Sequence, residues 1–202
     1  MARSALQLVR GERDESGVTI VEFGFAMPVM AVILMALFDV GFQVYAQSVI
    51  DGAVQEAARA TTMEEGGPKT ATLDAMVTRN VRTVIPGAQL AFTRKNYQNF
   101  SDVGEPEEFT DTAGSEDGIC NDGEPFEDVN GNGSWDADRG STGVGGARDA
   151  VLYGATASFD RVFPFPYMLG LPQTVTIGSS TVLRNQPYDE QAARASVVGT
   201  CT

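Results

Sequence analysis

Residues Val18 to Phe38 form an unbroken run of 21 positions, VTIVEFGFAMPVMAVILMALF, in which Glu22 is the one charged residue. About 20 apolar residues suffice to cross a bilayer as a helix, so a single membrane span is the default reading, and the rest of the chain must be arranged around it. Arg3, Arg10 and Arg13 precede the run, and the next basic residue is Arg59. Positive charge favours the cytoplasmic flank, which puts the amino-terminal side in the cytoplasm and everything after about Asp39 outside. A cleaved secretory signal fits poorly, because Asp39-Val40-Gly41 leads on into helical sequence instead of a small-x-small cleavage site. Pro28 would cost a soluble helix about 3 kcal/mol, whereas in a membrane it gives a tolerated kink. Glu22 costs roughly 2.5–3.5 kcal/mol inside a span, so it either lies close enough to the interface to reach the headgroups or meets a cation.

The 202 residues hold 27 Asp+Glu against 14 Lys+Arg, with two cysteines and no histidine. Without an imidazole there is no Ser-His-Asp or Cys-His nucleophile system, no HExxH metalloprotease site and no His-ligated zinc. A net charge of -13 argues against nucleic acid as a partner. A carboxylate-pair hydrolase survives this arithmetic, but no pair of acids stands out and no enzyme is expected.

The acid is concentrated in one place. From Asp102 to Asp138 there are 13 acidic residues and no basic one, while the remainder of the chain is balanced. Inside this module Asp128, Asn130, Asn132, Ser134 and Asp136 fall on alternate positions, with Gly133 at the sixth. That spacing wraps a chain around a hard cation: side chains at positions one, three and five, a carbonyl at seven and an acid at nine are Ca2+ ligands. The bidentate Glu of a full EF-hand would fall on Arg139, so the loop is closer to the shorter calcium repeats of the dockerin and thrombospondin type 3 kind. Glu124 or Glu127 folding back, and Asp138, are candidates for the missing acid, and upstream Asp117, Asn121 and Asp122 could contribute. The expected cofactor is a structural Ca2+, and the alternative is a solvated acidic loop. Thirteen carboxylates in so short a segment repel one another, so the module without a cation is expected to be expanded. Cys120 and Cys201, outside the cytoplasm, can either pair or remain two free thiols; a bridge would close a loop of about 80 residues.

Periodicity supplies the rest. The apolar helix continues past Asp39, with Val49, Ala53, Ala57 and Ala60 at spacings of three or four, until Gly66-Gly67-Pro68, giving one helix of about 40 residues. A second, short helix is predicted over Thr72–Val84 from Leu73, Met76, Val77, Val81 and Val84. Alternation predicts strands at Gln89–Tyr97, Ala150–Val162 and Thr174–Leu183. Phe163-Pro164-Phe165-Pro166-Tyr167-Met168-Leu169 joins the last two; its aromatics could mark a binding tip, but such a turn more often folds back on its own core. The fold class is α+β, a long transmembrane and amphipathic helix packed on a small antiparallel sheet. The expected division is a leader over 1–17, a span over 18–38, helix, second helix and first strand over 39–101, the acidic insertion over 102–147, and strands with a tail over 148–202.

Gly17-Val18-Thr19-Ile20-Val21-Glu22-Phe23 resembles a class IV prepilin site, a leader ending in Gly, four apolar residues, then Glu and an aromatic. The longer stretch Gly17 to Val29 is similar to the TadE family of pilus-assembly proteins, as is Arg184-Asn185-Gln186-Pro187-Tyr188, with Gln186 where that family usually has Glu. The resemblance covers roughly residues 15 to 62 well and 148 to 188 loosely, and it does not reach the acidic module. It implies a pilin-like fold, cutting by a prepilin peptidase between Gly17 and Val18, and pairing of Glu22 with a neighbouring subunit's new amine. It further implies a non-enzymatic minor pilin or pseudopilin of a tight-adherence pilus. Its partners would be other pilus subunits, the peptidase and the lipid bilayer. The protein would lie in the inner membrane with its carboxyl-terminal domain in the periplasm, or enter a surface pilus. The competing reading is an independent membrane-anchored Ca2+-binding adhesin.

Overall fold

The structure, a computed structural model, describes residues 16–63, 70–112, 114, 116–163, 167, 170–185 and 190–202. The leader before residue 16, the Gly66-Gly67-Pro68 stop, Pro164–Pro166, Met168, Leu169 and the Gln186-Pro187-Tyr188 motif lie outside the described residues. Helix α1 is Ser16–Met63, 48 residues running through Pro28. Its two halves differ as their sequences do. The amino-terminal half is almost bare, with Ile20, Phe25 and Leu37 exposed, and its most apolar 18-residue window contains no buried residue. Among the described residues it is the one helix long and apolar enough to cross a membrane.

The second half of α1 buries Ala46, Ile50, Ala53, Val54 and Ala57. The predicted stripe was rotated slightly, since Val49 is only half-buried. Ala, Val and Ile occur on several sides of this helix, and only contact with the sheet selects the face. Helix α2, Thr70–Val84, adds Leu73, Val77 and Val81 to the same core.

Strands β1 (Gln89–Tyr97), β2 (Pro125–Asp128), β3 (Ser141–Thr142), β4 (Ala150–Asp160), β5 (Thr174–Arg184) and β6 (Val197–Thr200) complete the fold. Four form an antiparallel sheet in the order β3-β1-β4-β5, and β2 pairs with β6 in a second sheet. The alternation in β4 works as predicted: Tyr153, Ala155, Ala157 and Phe159 face the helices, met by Val175 and Ile177 of β5 and by Phe92 of β1. Three contacts fix the direction of α1 on the sheet. Asp39 pairs with Arg161, Phe42 meets the Phe159 ring edge-on at 5.9 Å, and the Gln47 side chain donates to the Gly178 carbonyl at 2.9 Å. Helix α1 therefore runs antiparallel to β4 and alongside β5. On α2, Asp74 accepts from Arg94 and from the Tyr153 hydroxyl, and the guanidinium lies 5.1 Å from the tyrosine ring centre. Burial first, and the Asp74 charge second, push the Tyr153 phenol well above its ordinary range.

The tail is less local than its sequence suggests. After β5, Arg194 reaches back to the fully buried Asp149 at 2.6 Å and to Asn96 at 2.6 Å, and Gln191 donates to Asp149 at 2.8 Å. The chain then enters β6 beside β2, and Cys201 closes a disulfide with Cys120. By its loop length this bridge contributes about 2–4 kcal/mol, chiefly by restricting the unfolded chain.

Candidate functional site

The acidic module folds on itself. Residues 107 to 110 lie along β2, with Glu127 N–H donating to the Glu108 carbonyl at 2.7 Å and Thr110 N–H to the Pro125 carbonyl at 2.9 Å, so three extended segments lie side by side with β6 outermost. Trp135 packs edge-on against Phe109 at 5.8 Å and donates its indole N–H to the Glu107 carbonyl at 2.8 Å. This gives the loop after β2 an apolar floor.

On that floor residues 128 to 136 curl tightly. Asp128, buried, accepts from the amides of Gly131 (2.6 Å), Asn132 (3.2 Å) and Gly133 (2.8 Å). Gly131 and Gly133 hold φ of 77° and 82°, a conformation that a side chain would strain. The side-chain amides of Asn130 and Asn132 both donate to one oxygen of Asp136, at 2.7 and 2.5 Å. Hydrogen bonds thus bring Asp128, Asn130, Asn132 and Asp136 together at one loop, with the Ser134 amide bonded to Asn132 at 2.7 Å.

The three candidates for the missing acid are not part of this gathering. The Glu124 carboxylate accepts from the Thr112 and Asn121 amides, both at 2.8 Å, and shapes the preceding turn instead. Asp138 accepts from Lys95 at 2.8 Å, Tyr97 at 2.9 Å and the Gly140 amide at 3.0 Å, tying the module to β1. Glu127 accepts from the hydroxyl of Ser196, the residue before β6. The residue that sequence reasoning missed is Glu107, 1% exposed. Its Oε1 accepts from Val129 and Asn130 at 2.9 and 3.3 Å, and its Oε2 from Asp136 at 3.1 Å, so one carboxylate staples both ends of the loop. The absence of an acid at position twelve was the available signal, but nothing local points 21 residues upstream.

No group of three or more Asp, Glu, Cys or His side chains is gathered as a metal cluster among the described residues. The loop's hard oxygens are the carboxylates of Asp128 and Asp136 and the side-chain oxygens of Asn130 and Asn132, which here accept from the Asn132 and Ser134 amides. This set fits Ca2+, which takes six to eight oxygens, better than Mg2+, which rarely uses an all-protein cage.

Two carboxylates here titrate low. The Asn121 amide first and the Thr112 amide second lower the Glu124 pKa. Burial raises Asp138, but hydrogen bonds from Lys95, the Gly140 amide and Tyr97 outweigh it, and its pKa is lowered overall. The Tyr97 phenol is pushed up to about 12 by burial and then by Asp138. A depressed carboxylate stabilises the fold above its unfolded pKa, and that contribution fades as pH falls through the folded value. Hydrogen-exchange protection of the Thr112 and Asn121 amides is therefore expected to hold above about pH 4.5 and to decline in more acidic solution. In Glu124→Gln it should lose this pH dependence. Protection that is flat with pH in the native chain would contradict the assignment.

The other functional element is α1. Glu22 is exposed between the exposed Val21 and Phe23 in the bare half of the helix, and Gly17 and Val18 lie at its start. One comparison bears on this helix. Residues 17–59 match the TadE-like protein family. The match begins at Gly17 and ends four residues before α1 does, so the TadE-like segment comprises both the bare half and the half packed on the sheet. The sheet and the acidic module lie beyond the TadE-like match. No curated protein and no solved structure matches the chain.

Proposed function

We propose that this chain is a non-enzymatic, membrane-anchored TadE-like protein, a minor pilin or pseudopilin that acts in the assembly or decoration of a tight-adherence pilus. The observation that carries the reading is the coincidence of the TadE-like match with a continuous helix whose first half is bare and apolar and whose second half is the spine of a folded domain. A subunit that is held in a bilayer and then packs with its neighbours needs that division. Residues 18–38, at 1.5 Å per residue, cover about 30 Å, the thickness of a bilayer core. The domain is periplasmic by the arginine bias of the leader, and the protein is single-pass. Other pilus subunits and a prepilin peptidase are its partners. Gly17-Val18 is the processing site, and Glu22 pairs with the amine that cutting creates on a neighbour.

Asp128, Asn130, Asn132, Asp136 and the Ser134 carbonyl hold Ca2+, with Glu107 shaping the loop beneath them. The ion would supply positive charge where 13 carboxylates repel one another, stiffening the protrusion outside the cell.

Processing is tested by the intact mass and first residue of the protein extracted from membranes with and without the peptidase. A peptidase-dependent start at Val18 is expected, with Glu22→Ala still inserted in the membrane and defective in assembly. The same uncut start in both strains would remove the processed-pilin mechanism and favour a permanently anchored calcium-binding adhesin.

A further inference from the structure

We propose that Asn130 and Asn132 are deamidation sites that the closed loop keeps latent, so that opening the loop converts them, irreversibly, to aspartate or isoaspartate. The chemistry requires neither calcium nor a membrane.

Of the seven asparagines in the chain, Asn130 and Asn132 are the two followed by glycine; the others precede Val81, Tyr97, Phe100, Asp122 and Gln186. Glycine matters because the reaction is an attack by the next residue's backbone nitrogen, and glycine has no side chain to screen that nitrogen or restrict its approach. Once the glycine nitrogen has given its proton to solvent base, it adds to the asparagine Cγ. The Cγ–Nδ2 bond breaks, the side-chain nitrogen takes up a proton and leaves as ammonia, and a cyclic imide remains. Water then opens the imide at one carbonyl carbon to give aspartate, or at the other to give isoaspartate. Overall water enters and ammonia leaves, with no oxidant or reductant. Solvent reaches both pairs: Gly131, Asn132 and Gly133 are exposed and Asn130 is half-buried. A Cβ built on either glycine would meet nothing within 4 Å.

Hydrogen bonding is what withholds the reaction. One carboxylate occupies both attacking nitrogens, with Gly131 N–H donating to Asp128 Oδ1 at 2.6 Å and Gly133 N–H to Asp128 Oδ2 at 2.8 Å. A proton bonded to a carboxylate is withheld from solvent base until that bond opens, and the anion left behind would face the charge of Asp128. A second carboxylate occupies both leaving nitrogens, since the Nδ2 groups of Asn130 and Asn132 donate to Asp136 Oδ2 at 2.7 and 2.5 Å. The two side-chain oxygens accept from the Asn132 and Ser134 amides at 3.0 and 2.7 Å. Each side-chain amide is therefore held at both its oxygen and its nitrogen, and its plane is not free to turn toward the neighbouring glycine. Glu107, on the amides of Val129, Asn130 and Asp136, sets how often this arrangement opens.

The product does not refit the loop. An aspartate has no Nδ2 to donate, so its contact with Asp136 becomes a meeting of two carboxylates. Isoaspartate also adds a methylene to the backbone. A molecule whose loop has stood open thus stays marked, with added negative charge at 130 and 132.

The test follows the full chain in detergent and chelator. Peptide mass spectrometry reads conversion at 130 and 132, hydrogen exchange reads the opening of the Gly131 and Gly133 amides, and the denatured chain supplies the unprotected rate. Exchange and attack need the same opening, so the factor by which the fold slows deamidation should match the exchange protection of those two amides. Asp128→Ala should speed conversion at both asparagines by about tenfold or more, as the loss of two hydrogen bonds to a charged group implies. Glu107→Ala, which touches no reacting atom, should speed conversion by the factor by which it lowers that protection. Exchange at Tyr153 and Ala155, in the core, reports whether each variant keeps its main sheet. If Asp128→Ala loses it, the native chain and Glu107→Ala carry the comparison. Native conversion at the denatured rate, or faster than the measured protection allows, overturns the latent site. So does a loop opened by Glu107→Ala in which neither asparagine converts faster.

Discussion

Arg161→Ala is expected to destabilise the folded domain by about 3–5 kcal/mol, the loss seen when one partner of a buried ion pair is removed and the other stays behind. The Asp39 side chain is only 6% exposed, and among the described residues the Gln43 amide at 2.8 Å is its one other side-chain donor. Truncation also removes the guanidinium bond that closes the β4–β5 turn on Pro172. Thermal or denaturant unfolding in detergent, followed by Trp135 emission, measures the effect. The double substitution Asp39→Asn, Arg161→Met separates the pair's own contribution from the stranded charge. It should recover most of the loss, because two matched neutral side chains leave no carboxylate uncompensated. If the single variant unfolds with the native midpoint, the pair does not hold the sheet to α1.

The second large effect concerns Glu107. Glu107→Ala leaves the amides of Val129, Asn130 and Asp136 without their acceptor in a buried place, at about 1–3 kcal/mol for each group that water cannot reach. The module should loosen while the main sheet survives, since the Tyr153–Phe159 stretch of the core contains none of these contacts. Ca2+ supplies the sharper readout. In the native chain Ca2+ should raise the midpoint of module unfolding and chelation should reverse it, because a ligand that binds only the folded state stabilises by mass action. In Asp136→Ala and in Glu107→Ala that shift should vanish. Asp136→Ala removes a donor from the loop's rim, whereas Glu107→Ala removes what shapes the loop. If Ca2+ leaves the native midpoint unmoved, the loop is a hydrogen-bonded turn and the calcium proposal falls.

Much of the main fold could be read from periodicity. Gln89–Tyr97 and the starts of β4 and β5 follow directly from alternation, because one face of an antiparallel sheet must be apolar and the other need not be. Cys120 and Cys201 were the only two thiols, so their bridge had a single possible pairing. The strands of the second sheet were not readable. Pro125–Asp128 has one buried apolar residue, Phe126, and Val197–Thr200 exposes both valines, so neither carries a two-residue signal strong enough to stand out. Their pairing is set by the distant disulfide and the Arg194–Asp149 anchor, which are tertiary facts.

The candidate loop was legible in its spacing and illegible in its support. Asp128 to Asp136 announce themselves by their alternation with Gly133. Glu107 is one carboxylate among 13, and its neighbour Glu108 has a side chain that is 78% exposed, so composition could not separate the two. Glu124 and Asp138 were the candidates because they lie close to the loop in sequence, and each instead serves a different turn.

The continuity of α1 has a mechanical meaning. From Asp39 to Met63 the helix rises about 36 Å without a break, so no joint separates the apolar run from the domain packed on the helix. With residues 18–38 held in a bilayer, as proposed, sideways force on the domain would tilt the whole rod, and a pull along the rod would act directly on the apolar run. The protein is built as a stiff post of fixed height whose far end cannot turn without turning its root.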